Sequence, residues 1–458
     1  MLQLSNYSTK QLFAVVIIGT MMMMESIDTN ILNVAIPAMA QSLGVSALSL
    51  KLPITSYLIS LSVFIPISGY LADKFGTKII LMIAIFSFGL FSLLCGWATS
   101  LVQLTCFRIL QGVAGALLVP VGRLLMLRVF SKQELVKVYM FISMPLLLGP
   151  LLAPYIGGLL VSHLSWRSIF YVNVPFALLM LFATWRFVDN YTQSTQPFNW
   201  PSFVSLALFL AITAYWLDTT SEITSSITQL LILMVIIMSF VIYLIIESKS
   251  EHQIIHFKLF QIRTYKLCFF SSALSRITLG ARAFIIVLYL QLSLSMSPSE
   301  SGLLISSMAI GYLFSRIFIT RYLKRFGFKR TLLWSNFGTC LATVLLCFIE
   351  QANVFAWMVM IALGFFSAIV LLLLNVLCFS DIENEKYAAA TSLNSTTQQL
   401  FVSLGVSIAA GSIHLFNYSF GTFTMTSFHA AFICIAVISL MGQIPFLKLQ
   451  NSDGDNLL

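Results

Sequence analysis

Two acids, Glu25 and Asp28, stand three residues apart in an otherwise apolar stretch, a spacing that puts both on one face of a helix. Five arginines, Arg108, Arg123, Arg276, Arg282 and Arg316, interrupt later apolar stretches. Ionisable groups in hydrocarbon are costly and ordinarily face a partner or a water-filled path, so each is a candidate for function. At 1.5 Å of rise per residue, Asp28 lies ~13 Å from Pro37 and Arg108 ~10 Å from Leu101, on helices running in opposite directions, so the two charges share a depth. An arginine facing a carboxylate there makes a pair that a proton or a charged substrate can break, which is the chemistry a proton-coupled carrier needs. A static buried ion pair that only fixes helix packing has the same signature. Asp28, Glu25 and Arg108 are therefore the proton-coupling candidates.

Arg276 and Arg282 are six residues apart, about 120° around a helix at 100° per residue, so they do not both point into one cavity. Together with Arg108 they leave the deep region more positive than negative, which suits an anionic or zwitterionic substrate. The cavity candidates are Arg282, Arg276, Gln111, Asn33 and Gln291. Arg123 and Arg316 lie nearer the inner face, where long side chains snorkel to water. Asp218, Glu222, Glu300 and Glu350 fall at outer helix ends.

The elements that must position these groups are spans. Of 458 residues, 59% are apolar and 9% charged, against about a quarter charged in a soluble domain. About fourteen apolar runs are long enough to cross a bilayer core, which takes roughly 20 residues each. The chain is expected to be an all-α integral membrane protein built as two six-helix bundles, 11–187 and 266–447, with two inserted helices at 201–247. A segment at 248–265 is either an amphipathic helix on the inner surface or a solvated linker. With both termini inside, only Lys51 and Arg167 among the 25 Lys and Arg lie in outer loops, the asymmetry of the positive-inside rule. The net charge of +9 then belongs to a rim facing anionic lipid and not to a nucleic-acid surface. Lys10 precedes a stretch running on through Glu25 and Asp28 to Pro37, a retained first span and not a signal peptide. The seven cysteines include no C-x-x-C pair and read as packing residues.

Gly69-Tyr70-Leu71-Ala72-Asp73-Lys74-Phe75-Gly76-Thr77-Lys78 lies between two apolar runs, and Tyr322-Leu323-Lys324-Arg325-Phe326-Gly327-Phe328-Lys329-Arg330 repeats it with Lys324 in place of Asp73. Glycines keep such a turn tight. The first copy resembles the signature loop of the major facilitator superfamily. Residues 28–37, from Asp28 to Pro37, resemble the span-one motif of its fourteen-span drug:proton antiporters, and 108–116, from Arg108 to Ala116, their span-four motif. Gly149, Pro150, Pro154, Gly157 and Gly158 are similar to the span-five antiporter motif, with altered glycine spacing. Trp166-Arg167 with Phe170, Asn173 and Pro175, Tyr289-Leu290-Gln291 with Ser297-Pro298 and Gly302, and 388–394 with Gln398-Gln399 and Gly405 extend the match over nearly the whole chain. The resemblance implies the major facilitator fold, two six-helix bundles plus two extra central helices rocking about a cavity. It implies a coupling role for Arg108, an inner gate made by Gly69, Asp73, Lys74, Gly76 and Lys78, with Asp73 contacting the facing half, and a hinge in span five.

The expected function is a secondary active transporter, a proton-coupled exporter of small molecules. The alternatives are a dedicated carrier of an anionic metabolite or siderophore, and an integral-membrane enzyme. Against an enzyme or an ATP-driven pump, the chain has neither G-x-x-x-x-G-K-[ST] nor H-E-x-x-H, the motifs for phosphate and zinc chemistry. His252 and His256 are four apart without a third ligand, so no metal and no cofactor are expected. The expected partners are a small-molecule substrate, protons and lipid, for a monomer in the bacterial cytoplasmic (inner) membrane.

Overall fold

The computed structural model describes residues 8–131, 135–193, 197–219, 226–250, 257–382, 387–420 and 424–454. Every described element is helical, the form that satisfies all backbone hydrogen bonds within one segment, as hydrocarbon demands. The chain divides into two compact units, Met1–Trp200 and Pro201–Leu458.

The first unit contains α1 (Thr9–Leu43), α2 (Lys51–Phe75), α3 (Thr77–Trp97), α4 (Leu101–Val129), α5 (Leu135–His163), the short α6 (Ser168–Tyr171) and α7 (Asn173–Phe187). Local signals set the ends. Ser8 and Gln11 form a capping box that opens α1, Gly44 closes it with φ 66°, and the Ser100 hydroxyl caps α4 by accepting from the Gln103 amide, each answering backbone groups that a helix end leaves unpaired. Helix α8 (Trp200–Thr219) begins at the division, and the second unit continues with α9 (Ser226–Ser248), α10 (Arg263–Leu288), α11 (Pro298–Ser306), α12 (Met308–Leu345), α13 (Val354–Leu377), α14 (Tyr387–Phe420), α15 (Met425–Met441) and α16 (Gln443–Leu447). Helix α12 is really two helices joined at Gly327, whose φ of 73° breaks the helical path.

Among the described residues, 12 helical segments are long and apolar enough to cross a membrane. Helices also stand over the other two expected spans, at α5 and α8. Close approaches between helices fall at glycines. A Cβ on Gly112 would lie 2.5 Å from the Tyr57 carbonyl oxygen, and one on Gly149 would lie 2.5 Å from the Ser26 hydroxyl, so α4 rests on α2 and α5 on α1. In the second unit Gly280 abuts the Val402 backbone and Gly405 the Ile277 backbone, a reciprocal pair that seats α10 against α14. Small residues serve this purpose in membranes, where packing replaces the hydrophobic effect between helices.

One expectation changes here. The stretch 69–78 is not a loop: Gly69 to Phe75 complete α2, Thr77 opens α3, and Gly76 alone, at φ 99°, makes the turn. Gly69 sits in helix with open space where a Cβ would go, so the tightness of the turn explains Gly76 and not Gly69. In the segment 248–265, residues 251–256, with His252 and His256, lie outside the described residues. Leu259 beyond them is buried in the second unit's core, and the half-buried Phe260 packs against Tyr265 and Phe269.

Candidate functional site

Arg108 and Gln111 sit one helical turn apart on α4 and face the same way. Both reach Asp28, in the middle of α1. Arg108 Nη1 donates to Asp28 Oδ2 at 2.6 Å and to Gln111 Oε1 at 2.9 Å. Asp28 Oδ1 accepts from Gln111 Nε2 at 3.0 Å and from Asn173 Nδ2 at 2.8 Å, the asparagine being the first residue of α7. Asn173 also donates to the Ser92 hydroxyl at 3.1 Å, which in turn donates to the Phe170 carbonyl. Both oxygens of this α1 carboxylate are thus engaged from two other helices, α4 and α7, and Asp28 and Arg108 are each only 1% exposed.

The guanidinium is also enclosed by rings: Arg108 Cζ lies 4.0 Å from the Tyr57 centroid and 5.9 Å from that of Phe170, a cation–π arrangement that substitutes for part of its lost hydration. Arg108 Nε has no hydrogen-bond partner. A buried pair of this kind is strongly coupled: neutralising Asp28 would strand a buried cation, so the network must rearrange when the carboxyl takes a proton. Such a constellation can convert proton binding into movement of α1 against α4.

Glu25 is buried but stands apart from this network. Its carboxylate oxygen lies 3.5 Å from the Thr29 hydroxyl. The fold therefore brings Asp28, Arg108 and Gln111 together, while Glu25, one turn away on α1, takes no part in these hydrogen bonds. Asn33 is half-buried. In the second unit Arg282 is 4% exposed and donates from Nη1 to the Thr343 hydroxyl at 3.3 Å; its Nε is unpartnered. Arg276 is half-buried and its Nε also lacks a partner. Among the described residues neither arginine has an acidic partner within salt-bridge distance. Gln291 donates to the Ser301 hydroxyl at 2.8 Å, bracing the turn between α10 and α11, and Arg316 is exposed beside Tyr312. Glu300 forms a capping box with Ser297.

At the gate loop, Asp73 pairs with Arg128 at the end of α4, 2.9 Å away and in its own unit. Lys74 reaches the Tyr70 hydroxyl at 3.1 Å, and Lys78 donates to the Trp185 carbonyl at 2.7 Å. In α5, Gly157 abuts Ile31 as Gly149 abuts Ser26, and Pro154 and Gly158 are buried. The helix runs on through this motif, and the side chain of Pro150 lies outside the described residues.

With this geometry in view, the match to known proteins is specific. The family model described as Major Facilitator Superfamily matches residues 18–262 and 267–455. The chain belongs to the major facilitator superfamily. Among its relatives are the MdtD proteins of Salmonella paratyphi A and Salmonella typhi, whose name assigns them provisionally to multidrug resistance; each is 32% identical over 445 residues, covering 95% of this chain and 94% of the relative. Similar solved structures are a bacterial homologue of the human lysosomal transporter Spinster, with a TM-score of 0.68 at 12% identity over 96% of this chain and 97% of that one, and the nucleoside transporter NupG, with 0.66 at 14% over 96% and 99%. At such identity the likeness speaks for the fold alone. This facilitator is a multi-pass membrane transporter with a small-molecule substrate, and the enzyme alternative falls away.

Asn173, Tyr57 and Ser92 were missed as members of the site. Asn173 had a signal, since it stands in the Trp166–Pro175 motif. Tyr57 and Ser92 had none, being an aromatic and a hydroxyl of ordinary type in apolar helices.

Proposed function

We propose that this facilitator is a proton-coupled exporter of small molecules that works by alternating access, with Asp28 as the group that carries the coupling proton and Arg108 as its counter-charge. The observation that supports this most is the Asp28 carboxylate itself: it is buried and held through both oxygens by Arg108, Gln111 and Asn173. A carboxylate so placed ties three helices together while ionised and loosens them when protonated. The provisional multidrug-resistance name of the MdtD relatives favours export of drug-like compounds. We read the chain as crossing a bacterial cytoplasmic membrane fourteen times with both termini inside, α8 and α9 being the inserted pair, since the basic residues segregate that way. The gate role of Asp73, Lys74, Gly76 and Lys78 and the hinge role of the α5 glycines and prolines belong to the same proposal. The experiment is transport of a chemically diverse panel in proteoliposomes under an imposed pH gradient: saturable, gradient-driven movement supports coupling, and movement indifferent to the gradient contradicts it.

A second reading, a dedicated carrier of an anionic metabolite, is favoured by Arg282. It is a nearly fully buried cation that, unlike Arg108 with Asp28, has no acidic partner within salt-bridge distance among the described residues, and a substrate carboxylate would supply the missing charge. The same panel separates the two readings if it contains matched anionic and cationic members.

A further inference from the structure

The two glycine turns are covered in the same manner. In the first unit the chain leaving α7 lies over Gly76. Asp189 pairs with Lys10 at the start of α1, at 2.7 Å. The Asn190 side chain accepts from the Lys78 amide and donates to the Phe75 carbonyl, and it fills the space into which a Cβ on Gly76 would project. The Thr77 amide donates to the Tyr191 carbonyl and the Gln193 amide to that of Asp73.

In the second unit the chain leaving α16 does the same at Gly327. Asp453 pairs with Arg263, the first residue of α10, at 2.5 Å, and accepts from the Gln450 amide at 2.7 Å. The Asn451 carbonyl oxygen faces Gly327, 3.7 Å from where its Cβ would stand, and Gly454, at φ 89°, is wedged against Phe328 and Leu377. Leu449 is buried in the core cluster with Tyr265, Phe328 and Leu377. Even the lysines correspond: Lys78 and Lys329 each follow their glycine by two residues, and each donates to a carbonyl late in the closing helices, Trp185 and Leu447.

We propose that residues 448–454 are a clasp that fastens the opening turn of α10 to the Gly327 turn and to the end of α13, so that this end of the second unit moves as one body. It is the counterpart of 189–193 in the first unit. The two clasps differ in their anchoring. Asp453 on Arg263 is the counterpart of Asp189 on Lys10, but the first unit has a further pair, Asp73 with Arg128, where the second unit has Lys324 in place of the acid. This inference stands apart from the transport reading, because it concerns only how one end of the unit is held.

Hydrogen exchange on the purified full chain tests it without a substrate. A half-exposed ion pair holding a helix end is worth little in absolute terms, so Asp453→Asn is expected to speed amide exchange about two- to fivefold in 263–270 and 324–332, leaving 73–80 unchanged. Gly454→Val, which puts a branched side chain at positive φ against Phe328, is expected to act at the same two places. The charge-exchanged pair Arg263→Asp with Asp453→Arg rebuilds the ion pair but not the Gln450 bond, since a guanidinium only donates, and is expected to restore slower exchange in 263–270 than Asp453→Asn shows. Unaltered exchange at both segments in Asp453→Asn overturns the proposal. So does failure of the charge-exchanged pair to restore protection, including the case in which the single variant loosens the whole protein.

Discussion

The ring of Tyr57 lies over the guanidinium of Arg108, 4.0 Å from centroid to Cζ, and the tyrosine hydroxyl beside it has no hydrogen-bond partner. The ring, not the hydroxyl, is thus what the buried cation uses. Tyr57→Phe is expected to leave thermal stability unchanged or slightly raised, because it removes an unsatisfied buried polar atom. Tyr57→Ala is expected to cost about 3–5 kcal/mol for the lost buried aromatic and a further ~1–2 kcal/mol for the lost cation–π contact. Unfolding of purified protein in detergent measures both, and equal losses in the two variants would assign the role to the hydroxyl instead.

Gly112 and Gly69 make a matched pair of helical glycines. A methyl group on Gly112 would meet the Tyr57 carbonyl oxygen at 2.5 Å and Ser60 Cβ at 2.9 Å, whereas one on Gly69 meets nothing within 4 Å. Gly112→Ala is therefore expected to destabilise by about 1–3 kcal/mol as α4 is pushed off α2. Gly69→Ala is expected to be neutral or stabilising by up to ~1 kcal/mol, as in any unobstructed helix. Melting temperatures of the two variants decide it; a large loss in Gly69→Ala would mean that this glycine serves the motif through something other than space.

What was legible in the sequence follows from which residues are out of place in hydrocarbon. Asp28 and Arg108 stand out because charge is rare there, and counting residues along two antiparallel helices puts them at one level. Their companions do not stand out: Asn173, Ser92 and Tyr57 are common in apolar helices, and only the packing of α2, α3 and α7 around α1 and α4 brings them in. The glycines show the same limit. Gly69 and Gly76 look alike as letters, yet one is a plain helical residue and the other carries the positive φ of the turn. The clasp beyond Leu447 arises from contacts with Arg263, Gly327 and Leu377 that lie far away in sequence.

The Asp73–Arg128 pair is partly exposed, at 31% and 20%. Such a pair contributes at most about 1 kcal/mol, so Asp73→Asn is expected to slow turnover no more than about fivefold while substrate binding stays intact. Arg128→Gln is expected to behave alike, and the double variant to be no worse than either single one. Additive losses, measured as transport rates at equal expression, would show that Asp73 acts through a partner other than Arg128.

Arg282 discriminates between drug exporter and anion carrier. A charge-assisted hydrogen bond to a substrate carboxylate contributes roughly 1.5–3 kcal/mol, so Arg282→Gln is expected to weaken apparent affinity for anions about ten- to a hundredfold and to spare matched cations. Equal loss for both would leave Arg282 as a packing residue that donates to Thr343 within the bundle. Transport of cations alone by the wild type would remove the anion reading altogether.

The central claim is that the Asp28 carboxyl carries the coupling proton, and the most direct measurement compares wild type with Asp28→Asn in proteoliposomes under an imposed pH gradient. Asparagine keeps the shape and can still accept from Gln111 and Asn173, but it has no charge for Arg108 and no proton to release. The expected result is that the wild type concentrates a transported panel member against its gradient, while Asp28→Asn, folded and inserted, only equilibrates it. An Asp28→Asn protein that still drives substrate uphill with the proton gradient would contradict the claim.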